Sequence, residues 1–174
     1  MGRIAHAGFK SFAHCTASRL AGGHILTAAH CLPKVADGAI HLGLGYDRGA
    51  YMDLVSAQGT DYVAERARDV ALLCGAEAGP GLPMADAGSA APRRVTFWGY
   101  GRPYVHVLNR KTCAVTKATE RQLLLDCAAT PGYSGGPVTV GSPPRVVGLV
   151  SRASRTETVV ERLSQADIDT MCSG

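Results

Sequence analysis

The sequence predicts an all-β fold closed by one short C-terminal helix, and three observations predict it. Apolar runs of four to eight residues recur from Arg3 to about Val150, separated by Gly, Pro, Asp and Asn. The 21 Gly and 9 Pro in 174 residues cut the chain into pieces too short for long helices. None of these runs keeps the 3.6-residue period of an amphipathic helix.

Taken in order, strands are predicted over 24–28, 39–42, 69–74, 94–98, 104–109, 122–126, 137–140 and 146–151. A helical turn is predicted at 28–32, directly after the first of them. Residues 75–92, rich in Gly, Ala and Pro, read as a connector between two β halves. At the end, Ser164 followed three residues later by Asp167 is a variant of the capping box. Ile168 and Met171 then share one apolar face, so a short helix is predicted at about 164–172. Residues 1–174 are expected to form one domain, with halves at about 1–80 and 93–160.

Composition excludes several classes of function. The net charge is +4, and the 18 basic residues are scattered without a run, so no nucleic-acid partner is expected. No stretch reaches the roughly 20 apolar residues of a membrane-spanning helix, and the N-terminus Met1-Gly2-Arg3 lacks the apolar core of a signal peptide. The six cysteines, Cys15, Cys31, Cys74, Cys113, Cys127 and Cys172, contain no C-x-x-C pair, which favours disulfides or buried thiols over zinc. An even count leans towards an oxidising compartment. A secreted or periplasmic protein whose leader is absent from this chain is therefore expected, with a reduced cytosolic protein as the alternative.

Three segments carry chemistry. In Pro131-Gly-Tyr-Ser-Gly-Gly-Pro137, glycines on both sides of Ser134 permit a tight turn that exposes its hydroxyl. Such a turn can also aim the N–H groups of Gly132 and Ser134 at one point, an oxyanion hole contributing about 3 kcal/mol per donor. A serine hydroxyl is a weak nucleophile and needs a base. Leu26-Thr-Ala-Ala-His30-Cys31 supplies His30, with small Ala28 and Ala29 leaving room for the ring, and Cys15 is placed to close a hairpin onto Cys31. The base in turn needs a carboxylate on its other nitrogen. Asp69, at the head of the apolar Asp69-Val-Ala-Leu-Leu-Cys74, fits better than Asp37, Asp47, Asp53 or Asp61 in their turn-like or mixed surroundings.

Together these segments resemble the chymotrypsin-like serine proteases, whose chain order is also His, Asp, Ser. The resemblance extends to Cys15-Thr-Ala-Ser18, to Val95-Thr-Phe-Trp-Gly-Tyr-Gly101 and to Gly148-Leu-Val-Ser151. Leu125-Asp-Cys-Ala-Ala-Thr-Pro-Gly132 is most similar to the compact V8-like bacterial branch. The resemblance implies two six-stranded antiparallel barrels, Ser151 bonded to Asp69, and a cleft strand that pairs with substrate backbone. It implies a polypeptide substrate, Ser134 as nucleophile, His30 as base and Asp69 as orienting carboxylate, with no metal or organic cofactor. A monomer is expected. An inactive binding module on the same fold and a self-processing viral-type protease are the alternatives.

The chain departs from the family in ways that narrow this. Tyr133 stands where many animal members carry an acidic residue, so activation through a new amine at Ile4 is not expected despite the Arg3-Ile4 pair. Ala128 stands where trypsin-like members have an aspartate, and Val150 where glutamate-specific members have a histidine. Ala128, Ala129, Val150, Ser151, Arg152 and Ala153 are the candidate substrate contacts, and the small side chains predict a small or apolar pocket. Arg152 or Arg155 could draw an acidic side chain to its rim. Cys113 with Cys127 across a hairpin of 112–118 against 122–127, and Cys74 with Cys172, are the remaining candidate pairs, although six cysteines allow 15 pairings.

Overall fold

The computed structural model describes residues 1–5, 14–33, 39–76, 79–86 and 90–173. Asp37 and parts of the predicted connector, 77–78 and 87–89, lie outside the described residues.

The first half contains β1 (Gly2–Ala5), β2 (His14–Arg19), β3 (Ile25–Thr27), β4 (Ala39–Leu44), β5 (Asp53–Gln58), β6 (Tyr62–Glu65) and β7 (Val70–Leu73). They form one antiparallel sheet in the order β5-β4-β1-β2-β3-β7-β6. An interior strand of it, β1, is buried along all four residues, with Ile4 opposite Cys15 on one side and Leu42 on the other. Arg3 is therefore inside the sheet, its guanidinium 5.4 Å from the centre of the Tyr46 ring. Arg3 and Ile4, on either side of the Arg3-Ile4 bond, are both fully buried in this fold.

The second half contains β8 (Arg94–Gly99), β9 (Asn109–Ala118), β10 (Gln122–Leu125), β11 (Pro137–Val140), β12 (Arg145–Ala153) and β13 (Thr158–Arg162). They close into a six-stranded barrel in the order β10-β13-β12-β11-β8-β9. The two-residue period is clear in β8, where Val95 and Phe97 point inward while Arg94, Thr96 and Trp98 point out. The helix α1 (Gln165–Cys172) ends the chain.

The all-β architecture of the chymotrypsin type and the C-terminal helix are as the sequence predicts. The halves differ in one respect. The second is a closed six-stranded barrel, whereas the first is a seven-stranded half-barrel sheet. Its edge strands, β5 and β6, are consecutive in sequence and joined by a 3-10 turn at Gly59–Asp61. There the Asp61 carboxylate accepts the Gln58 N–H at 2.7 Å, so the chain turns where a ladder between the edges would form. The strand predicted at 104–109 is a turn. Val107 N–H donates to Tyr104 O, and the Asn109 side chain donates to the carbonyls of both Tyr104 and Val107. A local amide that satisfies two carbonyls outcompetes a ladder, and Asn109 instead opens β9.

Three cores hold the molecule together, and the one between the halves matters most for the site. Leu20, Leu26 and Leu72 of the first half pack there with Val146 and Leu149 of β12 and Ile168 of α1. The helix is fixed at its start by a reciprocal cap. Ser164 Oγ accepts the Asp167 N–H at 3.2 Å, and Asp167 Oδ2 accepts the Ser164 N–H at 2.8 Å. Arg68 donates to the same carboxylate at 2.8 Å and to Arg162 O at 2.7 Å, tying the cap to the turn just before Asp69. Burial would raise the Asp167 carboxyl, but the bonds from Ser164 and Arg68 outweigh it and hold the group below the usual carboxylate range.

Disulfides join Cys15 to Cys31, Cys74 to Cys172 and Cys113 to Cys127. The first closes the hairpin beside His30, the second anchors α1 to the end of β7, and the third bridges the β9–β10 hairpin. Because Cys74 and Cys172 are 98 residues apart, their bond constrains a large loop of the unfolded chain. The double substitution Cys74→Ser with Cys172→Ser is expected to cost about 4 kcal/mol. Denaturant unfolding of both proteins under non-reducing conditions measures it.

Candidate active site

Asp69 occupies a left-handed backbone conformation, φ 55°, at the end of the turn into β7. Few residues other than glycine adopt it, and here it directs the carboxylate onto the 3-10 turn Ala29–Cys31. The His30 N–H donates to Asp69 Oδ1 at 2.9 Å. His30 Nδ1 lies 2.8 Å from Oδ2 and 3.0 Å from Oδ1. Ser151 Oγ donates to Oδ2 at 2.6 Å. An ionised carboxylate only accepts, so Nδ1 must carry the proton and Nε2 is left free to take one. The His30 side chain is 48% exposed and that of Asp69 19%, which places the imidazole at the surface and the carboxylate beneath it. Burial would raise the Asp69 carboxyl. The bonds from the His30 ring, the Ser151 hydroxyl and the His30 N–H outweigh that and hold it below its ordinary value.

Ser134 lies on the turn leading into β11. Within this turn Tyr133 N–H donates to Thr130 O, Gly135 N–H to Val150 O and Gly136 N–H to Tyr133 O. The N–H groups of Gly132 and Ser134 have no acceptor among the described residues, and they are the two assigned from sequence to an oxyanion hole. Gly132 has φ +107°, and a Cβ there would strike the carbonyl oxygen of Tyr100. The Ser134 side chain is half-buried, and its hydroxyl makes no hydrogen bond among the described residues.

Close approach of backbone brings the turn to His30. At Gly135, φ +76°, an added Cβ would lie 2.8 Å from Ala28 N and collide with Thr27 Oγ1 and Thr16 O. Only glycine lets this turn lie flat against the residues that lead into the histidine. Thr16, which the sequence reading passes over, clamps the turn from the other half. Its N–H donates to Ser134 O at 2.8 Å, and its hydroxyl donates to Gly132 O at 2.7 Å while accepting the Tyr100 N–H at 3.1 Å. The only sequence signal for it is its place beside Cys15.

Tyr133, next to Ser134, is turned into the barrel. Its ring is buried in the barrel, edge-on to Phe97 with centroids 4.9 Å apart, and fills the space over Gly99 and Gly101, where any Cβ would overlap it.

A cleft of about 250 Å³ adjoins Ser134 and is lined by Ala129, Thr130, Pro131, Val150, Ser151, Arg152 and Ala153. Five of the six substrate contacts assigned from sequence thus lie together. The sixth, Ala128, is not part of this lining, and its carbonyl is instead bonded by Lys111 Nζ at 3.2 Å. Thr130 and Pro131 are additional walls. Arg152 and Arg155 are exposed. Cysteine groups with His30, His24 or Asp126 come within metal-binding distance, but in each the cysteines are joined in a disulfide.

The family model for the trypsin-like peptidase domain matches residues 15–149. No match is found among curated proteins. Among solved structures, a thermostable serine protease, AL20, from an extremophilic microorganism is similar with a TM-score of 0.76. The two are 16% identical over 98% of this chain and 94% of that one. A serine protease of a human pathogenic astrovirus gives 0.66 at 17% identity, over 95% and 90% of the two chains. The secreted serine protease VesC of Vibrio cholerae gives 0.67 at 19% identity over 94% of this chain, which spans 44% of VesC.

Two outcomes follow for stability. Thr16→Val leaves the buried Gly132 carbonyl and Tyr100 N–H without partners and is expected to cost about 1–3 kcal/mol, with Thr16→Ser largely retaining stability. Thermal unfolding checks this. Asp69 is depressed in the folded state, so its contribution is present above its unfolded value and disappears as pH falls through the folded one. The stability gap between wild type and Ser151→Ala is therefore expected to shrink as the pH is lowered below about 4, read from denaturant unfolding across a pH series.

Proposed function

We propose that Ser134, His30 and Asp69 are the working residues of this chain, which belongs to the trypsin-like peptidase family and is a serine endopeptidase acting on polypeptides. The observation that carries the assignment is the convergence on one carboxylate. Asp69 holds the His30 ring by Nδ1 at 2.8 Å while Ser151 donates to the same oxygen at 2.6 Å, leaving Nε2 free at the surface.

In the first step Ser134 Oγ attacks the scissile carbonyl carbon and its proton passes to His30 Nε2. The oxygen gains a negative charge and is received by the unpaired N–H groups of Gly132 and Ser134, worth about 3 kcal/mol each. The C–N bond breaks as His30 returns the proton to the leaving amine, and an ester on Ser134 remains. Water then attacks the ester, gives a proton to His30, and the acid is released as Ser134 recovers its own. Asp69 stays ionised throughout, stabilises the imidazolium and fixes the tautomer.

Substrate backbone would lie along β12. Its pairing with β11 ends at Leu149, whereas its pairing with β13 continues to Ala153. One edge of Ser151–Ala153 is therefore left without a strand, which suits an added β-strand of substrate. Ala129, Val150 and Ala153 give the adjoining cleft a small apolar lining, which favours a small aliphatic residue before the cut bond. Both halves contribute to the site, consistent with one protease domain, and the family match is compatible with the V8-like branch. Three disulfides and the secreted neighbour VesC support an extracellular or periplasmic location. None of the described helices is long and apolar enough to cross a membrane. An inactive binding module would not need the free Nε2 or the two unpaired N–H groups.

Peptide hydrolysis tests the assignment. Ser134→Ala and His30→Ala are each expected to lower kcat by about 10⁶-fold with the fold intact, and Asp69→Asn by about 10⁴-fold. In a peptide library the expected residue before the cut is Ala, Val or another small aliphatic; a dominant Arg or Glu would contradict the apolar cleft.

A further inference from the structure

The outer face of the second barrel carries a groove that the proposed reaction does not use. It has a volume of about 510 Å³ and lies over β8, β9 and the β11–β12 turn. Strand pairing sets Arg94 opposite Ala114, Thr96 opposite Thr112 and Trp98 opposite Arg110, so their side chains form one continuous face. Val140, Gly141, Ser142 and Pro144 make the far wall, and no acidic side chain is part of the lining.

Most polar groups on the floor are already spent on one another. The Trp98 indole N–H donates to Thr139 Oγ1 at 2.9 Å, and Thr139 Oγ1 donates to Thr96 O at 3.2 Å. The hydroxyls of Thr96 and Thr112 are 2.8 Å apart and bonded to each other. Besides the Ser142 hydroxyl, what remains unspent is cationic. Arg94 and Arg110 are exposed, and neither forms an ion pair among the described residues. A ligand that uses this groove must therefore bring acceptors, and guanidinium forks select carboxylates or other oxyanions.

Two further observations narrow the class. Arg110 sits over the Trp98 ring, its guanidinium carbon 5.5 Å from the centroid, so the indole face is covered. A sugar ring or a nucleobase would need that face for stacking; a carboxylate does not. Arg94 and the Trp98–Arg110 pair are four residues apart along β8, about 13 Å at the rise of a strand, which is also the spacing of side chains i and i+4 in an extended peptide. Charge across the whole chain points the same way. Eleven of the 18 basic residues, but six of the 14 acidic ones, lie from Arg93 onward.

We propose that this groove is a second docking site, remote from the cleft, for an extended acidic segment of the polypeptide substrate, with carboxylates received by Arg94 and Arg110. The proposal rests on the endopeptidase reading for its occupant. Binding itself is measurable without catalysis.

Trp98 is the sole tryptophan, so its fluorescence reports the groove directly. Ser134→Ala protein is titrated with a synthetic extended peptide bearing Glu at i and i+4, and with the same peptide bearing Gln. Saturable quenching or enhancement is expected with the Glu peptide, at least tenfold weaker with the Gln peptide and in Arg94→Gln/Arg110→Gln. It is also expected to weaken as salt is raised past 0.1 M, where screening acts over about 10 Å. In the Ser134-containing protein, the arginine variant is expected to hydrolyse a short neutral peptide at an unchanged rate. A long substrate with the acidic segment should lose about tenfold in kcat/KM. Equal affinity for Glu and Gln peptides, equal affinity of the arginine variant, or a response to a sulfated polysaccharide but not to the peptide would overturn the proposal. Loss of all peptide hydrolysis with peptide binding retained would instead sink the endopeptidase reading.

Discussion

The carboxylate of Asp69 is the point on which both halves of the molecule depend. It is set by a strained turn of the first half, φ 55°, and it accepts from the ring and the backbone of His30 and from Ser151 of the second barrel. Removing three donors from water and aiming them at one half-buried group costs energy unless the group stays ionised, and the donors keep it so. The same contacts fix the histidine tautomer, so a structural constraint and a chemical one are satisfied together.

Around that carboxylate the seam between the halves is built to hold its place. Leu26 and Leu72 from one side and Leu149 from the other bury the strands that lead to His30, Asp69 and Ser151. Arg68, one residue before Asp69, is bonded to the helix cap at Asp167, and Cys74, at the far end of the same strand, is bonded to Cys172. The C-terminal helix thus grips β7 at both ends. On the opposite side Thr16 fastens the serine turn to the sheet through two carbonyls, those of Gly132 and Ser134. Glycines at 132 and 135 are required where backbone meets backbone too closely for a Cβ.

Much of this was legible in the sequence because it depends on local signals. The serine turn is flanked by glycines, the helix start by Ser164 and Asp167, and β8, β10, β11 and β12 by clear alternation or apolar runs. What escaped depends on partners distant in sequence. β2 is a run of His, Cys, Thr, Ala, Ser and Arg with no large apolar residue, and it becomes a strand through pairing with β1 and β3. β5 alternates, but in the inverted sense of a half-exposed edge, with Leu54 43% exposed. Tyr104, Val105 and Val107 carry β propensity, but the Asn109 amide overrides it and residues 104–107 turn. Thr16 has no signal beyond its place beside Cys15, since its contacts form only when the second half folds against it. Ala128 lies outside the cleft lining, and its carbonyl accepts from Lys111 Nζ.

Covalent labelling tests the central assignment most directly, because it reads the nucleophile, the base and the oxyanion donors in one reaction. A fluorophosphonate is attacked only by an activated hydroxyl, and the adduct can be mapped by peptide mass. The account predicts one equivalent of label, located on Ser134 and abolished in His30→Ala. A folded protein that takes up no label, or takes it at another serine, would contradict it.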